Sequence, residues 1–98
     1  MAIVQLRRYE LVPGTMDDFV AWFPRIVPVR AQYGFEVLFA YADRERNEFT
    51  WAVRYDGDLA AYEAQLEVYN ASPERAAVFE GQPQRVATMH LALVDPVA

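Results

Sequence analysis

Apolar and polar residues mix in a β-rich run from Ile3 to Val12, which Pro13-Gly14 stops and turns, predicting a first strand. Thr15 is then placed as a helix N-cap, with Asp17 and Asp18 in the first turn, where carboxylates complement the exposed N–H groups. Met16, Phe19, Val20, Phe23, Ile26 and Val27 recur at three- and four-residue spacing, a core-facing helical stripe that runs on to Tyr33 and stops at Gly34. Pro24 and Pro28 interrupt it, so a bend or break is expected between Phe23 and Val29. Phe35 to Ala42 is apolar on both alternating faces, with Phe35, Val37, Phe39 and Tyr41 on one and Leu38, Ala40 and Ala42 on the other. After a polar link, Asp43 to Glu48, a third strand alternates through Phe49, Trp51, Val53 and Tyr55.

Asp56-Gly57-Asp58 reads as a turn and N-cap for a second helix marked by Leu59, Tyr62, Leu66 and Tyr69, with Glu63 and Glu67 on its outer face. Ser72-Pro73-Glu74-Arg75 opens a short extra helix to about Phe79, with Ser as cap and Pro at the first position. Arg85 to Val94 alternates as a last strand, with Val86, Thr88, His90, Ala92 and Val94 facing one way and Ala87, Met89, Leu91 and Leu93 the other. The order β-α-β-β-α-β implies an α+β ferredoxin-like sandwich with both main helices on one face of a four-stranded antiparallel sheet. Large apolar residues on both faces of strands two and three leave the bare face in need of a cover, and a second copy packed sheet to sheet is the expected one.

Composition narrows the chemistry. The 98 residues suit one domain spanning 1–98, with 54% apolar and 23% charged positions excluding disorder. No apolar run reaches the roughly 18 residues of a membrane helix, and the start shows no secretory pattern, so cytoplasm is the expected location and a membrane an unexpected partner. Zero cysteines exclude disulfides, thiolate metal sites and cysteine nucleophiles; one histidine, His90, excludes paired-histidine zinc spacings within the chain. The net charge of −5 argues against nucleic acid, since the nine arginines show no obvious cluster in sequence. No lysine is present for Schiff-base chemistry.

Gln5, Arg7 and Tyr9 share one strand face at period two, a polar wall that Trp51 and Tyr55 join if strands one and three are neighbours. Two readings of that wall stay open. In one it is a binding surface: Arg7 grips a carboxylate or enolate oxygen, Tyr9 and Tyr55 donate to a carbonyl and Trp51 walls the pocket. In the other, Arg7 is buried at a dimer seam against Glu10 or another carboxylate. His90 suits proton transfer near neutrality and is placed on the open side of the sheet, as a catalytic group or as a hydrogen-bonded structural one. Ser72 is accounted for as a helix cap. The pairs Asp17 with Asp18, Asp56 with Asp58 and Glu63 with Glu67 belong to helix starts and solvated faces, so no metal site is expected.

Gln5-Leu6-Arg7-Arg8-Tyr9-Glu10-Leu11-Val12-Pro13-Gly14 resembles the opening E-L-R-x-Y-x-L-x-P-G strand of the NIPSNAP family. Asn47-Glu48, Trp51 and Arg54-Tyr55-Asp56 are similar to the family's N-x-(several apolar)-W-R-Y-D-S-L block, and Ser72-Pro73 falls where small bacterial members often show that pair. Gln5 replaces the family's usual acid, Trp51 stands where larger members tend to show His, and Gly57-Asp58 departs from the family's wording. The resemblance implies the dimeric α/β-barrel superfamily, which holds cofactor-free oxygenases, isomerases, cyclases, haem enzymes and regulatory proteins, so fold alone leaves function open. The expectation is a homodimer with a small-molecule pocket between the bare sheet face and the partner, Arg7 as anion anchor, and Tyr9 and His90 as candidate acid–base groups. No cofactor is called for, and the reaction expected is proton transfer, rearrangement or cyclisation of a small organic acid or polyketide-like substrate. A non-catalytic dimerisation or ligand-sensing module is the alternative.

Overall fold

The computed structural model describes residues 1–97. Its elements run β1 (Ala2–Leu11), α1 (Met16–Trp22), a 3-10 turn (Phe23–Arg25), α2 (Ile26–Gln32), β2 (Phe35–Asp43), β3 (Glu48–Asp56), α3 (Leu59–Asn70), α4 (Pro73–Phe79) and β4 (Val86–Val94). The strands form one antiparallel sheet in the order β2-β3-β1-β4. This is the ferredoxin-like arrangement, in which β1 and β3 lie side by side at the centre.

The expected break in the first helix falls where the prolines put it. α1 ends at Trp22, Pro24 sits in the first positions of the 3-10 turn, and Pro28 lies in the first turn of α2, where its missing N–H has no intrahelical partner to lose. Thr15 does not cap α1 through its side chain: its Oγ1 donates to the Val12 carbonyl at 2.7 Å, bracing the Pro13-Gly14 turn instead. Asp58 does cap α3, accepting from the Ala61 N–H at 2.8 Å, and Ser72 Oγ accepts from the Arg75 N–H at 3.2 Å to cap α4. Of the second helix's stripe, Tyr62 and Tyr69 are buried and Leu66 is half-buried, whereas Leu59 stands exposed at the first turn.

Two one-residue irregularities reverse the expected alternation. Along β2 the register steps from Val37↔Val53 to Phe39↔Ala52, leaving Leu38 as an extra residue. Beyond it, Phe39 and Tyr41 turn to the face away from the helices, while Ala40 and Ala42 pair with Trp51 and Phe49 on the helix side. β4 behaves alike: Leu11 pairs with Val86 but Glu10 with Thr88, so Val86 shares the helix side with Met89 rather than the outer side with His90. A bulge inserts a single residue in a period-two pattern, and everything past it changes face.

The core lies between the sheet and the helices. Phe35 and Tyr69 are fully buried, and an aromatic cluster of Tyr9, Phe19, Phe23, Phe49 and Trp51 fills the space under α1 and α2. Trp22 Nε1 donates to the Val78 carbonyl at 2.9 Å, fastening α4 to α1. On the bare face, Leu38, Phe39 and Tyr41 are exposed, so β2 is covered on one side only within this chain. None of the described helices is long and apolar enough to cross a membrane.

Candidate functional site

β1 sends Gln5, Arg7 and Tyr9 to the helix side of the sheet, and the register places Arg7 opposite Trp51 of β3. The Arg7 guanidinium is held by its two neighbours in the row: Nη1 donates to Gln5 Oε1 at 2.6 Å and Nε to the Tyr9 hydroxyl at 2.8 Å. Its Cζ lies 5.0 Å from the centre of the Trp51 ring. Both hydrogen-bond acceptors are neutral, so the arrangement orients the cation without cancelling its charge.

A cavity of about 100 Å³ opens beside this row, between β1, β3 and the helices. Phe19, Phe23, Ile26 and Trp51 form its apolar wall, with Phe79 of α4 and Met89 of β4 at its rim. A second space of about 140 Å³ adjoins it, sharing Phe19, Trp22, Phe79, Val86 and Met89. The pocket therefore lies under the helices rather than on the bare face where it was expected. The reason is that Gln5, Arg7 and Tyr9 follow the same pleat as the buried Leu11, and that pleat points at α1 and α2.

The polar wall is smaller than the sequence suggests. Gln5, Arg7, Tyr9 and Trp51 come together; Tyr55 and His90 do not join them. Tyr55 shares the helix side but stands near the far end of β3, 5.1 Å from Phe35 and 6.2 Å from Tyr62 between ring centres, with its ring against Gly34 and Gly57. A Cβ at Gly57 would come within 2.9 Å of the Tyr55 ring, so this tyrosine is packed into a glycine-lined slot and does not reach the cavity. His90 projects from the bare face, where its Nε2 meets Glu10 Oε2 at 2.5 Å. That contact holds the Glu10 carboxyl below its ordinary value of 4.5, chiefly through the hydrogen bond. Glu10 and Arg7 project from opposite faces of β1, so the expected Arg7–Glu10 pair does not form within this chain.

Two site residues, Arg30 and Arg75, escaped the sequence reading. Arg30 of α2 is only 6% exposed, with Cζ 4.9 Å from the Trp51 ring centre and 4.6 Å from that of Tyr69, and it lines the same cavity. Its Nε is buried without a hydrogen-bond partner, as are Trp51 Nε1 and the hydroxyls of Tyr62 and Tyr69. Burial holds the Arg30 guanidinium below the usual arginine range, and the neighbouring Arg7 charge pushes the same way. Burial likewise raises the Tyr62 phenol. The signal was available: Arg30 follows Phe23, Ile26 and Val27 in the core-facing register, where an arginine is out of place. Arg75 of α4 adds a third guanidinium to the lining, over Phe79 at 4.3 Å. The arginines that look scattered in sequence thus converge in space, and the cavity lining holds no Asp or Glu among the described residues.

The NIPSNAP family model matches residues 4–98. The chain belongs to the NIPSNAP family. Among solved structures it is similar to a NIPSNAP domain protein from Burkholderia xenovorans, with 20% identity, a TM-score of 0.82 and coverage of 100% of this chain and 96% of that one. A NIPSNAP family protein from Agrobacterium tumefaciens is similar at 11% identity and a TM-score of 0.83, covering 97% and 87%. A proposed antibiotic biosynthesis monooxygenase from Bacteroides thetaiotaomicron is similar at 25% identity and a TM-score of 0.74, covering 99% and 90%. No curated protein matches the chain. For this NIPSNAP chain the neighbours establish the ferredoxin-like fold; the cavity's chemistry has to be read from its own residues.

Proposed function

We propose that this NIPSNAP chain binds a small organic molecule in the cavity between sheet and helices and acts on it as a cofactor-independent enzyme of the isomerase, cyclase or oxygenase type. The observation that carries the proposal is the Arg7–Tyr9 pair. Arg7 is held in place at the cavity wall by two neutral acceptors, and the Tyr9 oxygen already accepts from Arg7 Nε, so its own proton is the one left to give. A substrate oxygen gaining negative charge beside this pair meets a fixed cation and a phenolic donor in a largely apolar enclosure, the setting in which such interactions count most. Gln5 orients Arg7, and Trp51 supplies a flat wall.

His90 has no part in this chemistry, because it lies on the other face of the sheet. Without an imidazole or carboxylate in the cavity lining, the substrate must carry its own activated proton or reactive centre, which fits rearrangement, cyclisation or oxygen insertion better than hydrolysis of an unactivated bond. The donor-rich lining also favours a second reading, a binding or sensing module that recognises an oxygen-rich ligand without transforming it. Native mass spectrometry of the purified protein, before and after Arg7→Met, tests the binding step. A bound metabolite lost in the variant while the fold persists supports the pocket; an empty wild type, or a variant that only unfolds, supports a structural role for Arg7. Once a substrate is known, Tyr9→Phe separates enzyme from sensor: turnover falls with binding retained if Tyr9 donates its proton.

The same reading includes a homodimer formed through the bare sheet face. Four strands about 4.8 Å apart and about 30 Å long present a plane of roughly 600 Å², close to one partner's share of a standard interface. Leu38, Phe39, Val4, Leu6 and Ala52 line it, and most of its charged residues already have partners, Arg8 with Glu48, Arg54 with Asp56 and Glu10 hydrogen-bonded to His90, which leaves Glu36 opposite Arg54 as the exposed carboxylate a second copy has to accommodate. A cytoplasmic setting suits a chain without cysteines.

A further inference from the structure

Resting on the binding reading above, we infer that the cavity's ligand is an organic carboxylate with a small ring or short apolar body, and that Arg30 is a second, dedicated anion anchor beside Arg7. The chain carries 14 acidic residues against nine arginines, yet three of those arginines line one cavity into which no carboxylate projects among the described residues. Five of the other six arginines follow a different rule. Arg8, Arg44, Arg46 and Arg54 each meet a carboxylate at 2.6–3.1 Å on the surface, and even the buried Arg85 has Asp18 at 3.8 Å.

Arg30 is the exception with the highest cost. A guanidinium that is nine-tenths buried loses most of its hydration, and here it regains aromatic faces and the attraction of the neighbouring Tyr69 phenol, with Nε left without an acceptor. Ring faces offset part of that loss but supply no lone pair for the N–H groups. Arg7 and Arg30 both lie within about 5 Å of one ring, Trp51, and the Arg7 charge disfavours the cationic form of Arg30. The buried Tyr69 hydroxyl and Trp51 Nε1 are further donors without partners. Apart from the phenol oxygens, which can also accept, the polar groups of this lining are donors or positive charges, and a carboxylate is the common metabolite group that accepts from several donors and neutralises two cations at once. The walls dictate the remainder of the ligand. About 100 Å³ between aromatic rings suits a body about the size of one small ring, and the adjoining space past Phe79 and Met89 allows a short extension.

Titration with benzoate and with its neutral isostere benzamide, followed by Trp51-dependent tryptophan fluorescence and by the thermal midpoint, tests the inference. Benzoate is expected to raise the midpoint and change the fluorescence, with benzamide weaker by about tenfold or more. In Arg30→Met the benzoate affinity should fall about tenfold or more while the unliganded midpoint holds or rises, because the variant removes an uncompensated buried charge. Arg75→Gln, at a half-buried position on α4, repeats the affinity test without touching the core and should weaken benzoate by a smaller factor. Equal binding of benzamide and benzoate, or unchanged benzoate affinity in both variants, overturns the carboxylate assignment and leaves the cavity as a neutral-ligand site. Absence of any response to either probe, together with an empty protein by native mass spectrometry, overturns the cavity reading as well.

Discussion

On the helix side of the sheet, Phe35, Phe49, Trp51 and Val53 are at most 4% exposed, whereas across the same two strands Leu38, Phe39 and Tyr41 stand 43%, 36% and 69% exposed. Both faces are apolar in sequence, yet they treat charge in opposite ways. The bare face gives most of its charges a partner: Arg8 meets Glu48, Arg54 meets Asp56, and Glu10 is hydrogen-bonded to His90. Among the described residues, the helix side gives the buried Arg30 no carboxylate partner and holds Arg7 only by neutral oxygens. An apolar surface with its charges neutralised is suited to covering by another apolar surface. An apolar enclosure with cations left unneutralised is suited to a small anion.

The largest loss of stability is expected from changes on the helix side. Phe35→Ala removes a fully buried ring that packs on Tyr55, Tyr62 and Tyr69, and should cost about 3–5 kcal/mol in urea denaturation. A comparable truncation on the bare face, Tyr41→Ala, should leave chain stability within about 1 kcal/mol under dilute conditions, since that ring touches little besides Phe39. Charge on the bare face instead acts on assembly. Leu38→Asp with Phe39→Asp should convert a dimer of 11.3 kDa chains to monomer in size exclusion with light scattering, and a wild-type chain that already runs at 11.3 kDa removes the second copy from the account.

Smaller in energy is Arg7→Met. It should weaken the cavity ligand by about 1.5–3 kcal/mol, roughly ten- to a hundredfold in Kd, with little change in the dimer. Calorimetry on the identified ligand measures it. Smallest is the acid limb of the bare face. Glu10 has a folded pKa below its ordinary 4.5, so its contribution is present above that value and is lost as pH falls through the lowered one. Glu10→Gln should therefore flatten the stability profile below about pH 4.5 and leave ligand binding in the cavity unchanged.

How far the sequence could be read follows from what periodicity encodes. Alternation grouped Gln5, Arg7 and Tyr9 on one strand face, and the element order brought Trp51 beside them, because pairing of β1 with β3 is built into the ferredoxin-like topology. Alternation cannot say which of two apolar faces meets the helices, and so the pocket was expected on the bare side. Nor does it register a single inserted residue: the bulges at Leu38 and Ala87 moved Phe39, Tyr41 and Val86 to faces opposite those expected. Thr15 illustrates a different gap, since a hydroxyl can satisfy the preceding turn as readily as the following helix. Arg30 was legible in principle as a cation in an apolar stripe, but that no carboxylate among the described residues pairs with it is a fact of three dimensions.

The most direct test is a nitrogen-15 NMR titration that follows the Nε–Hε groups of Arg7, Arg30 and Arg75 and the His90 imidazole as benzoate is added. Saturable shifts at Arg30 and Arg7, with His90 unmoved, are the predicted result, since the anion enters under the helices and the bare face does not take part. Shifts centred on His90 and the bare face, with the Arg30 and Arg7 signals unchanged at saturation, would contradict the assignment of the ligand to the helix side of the sheet.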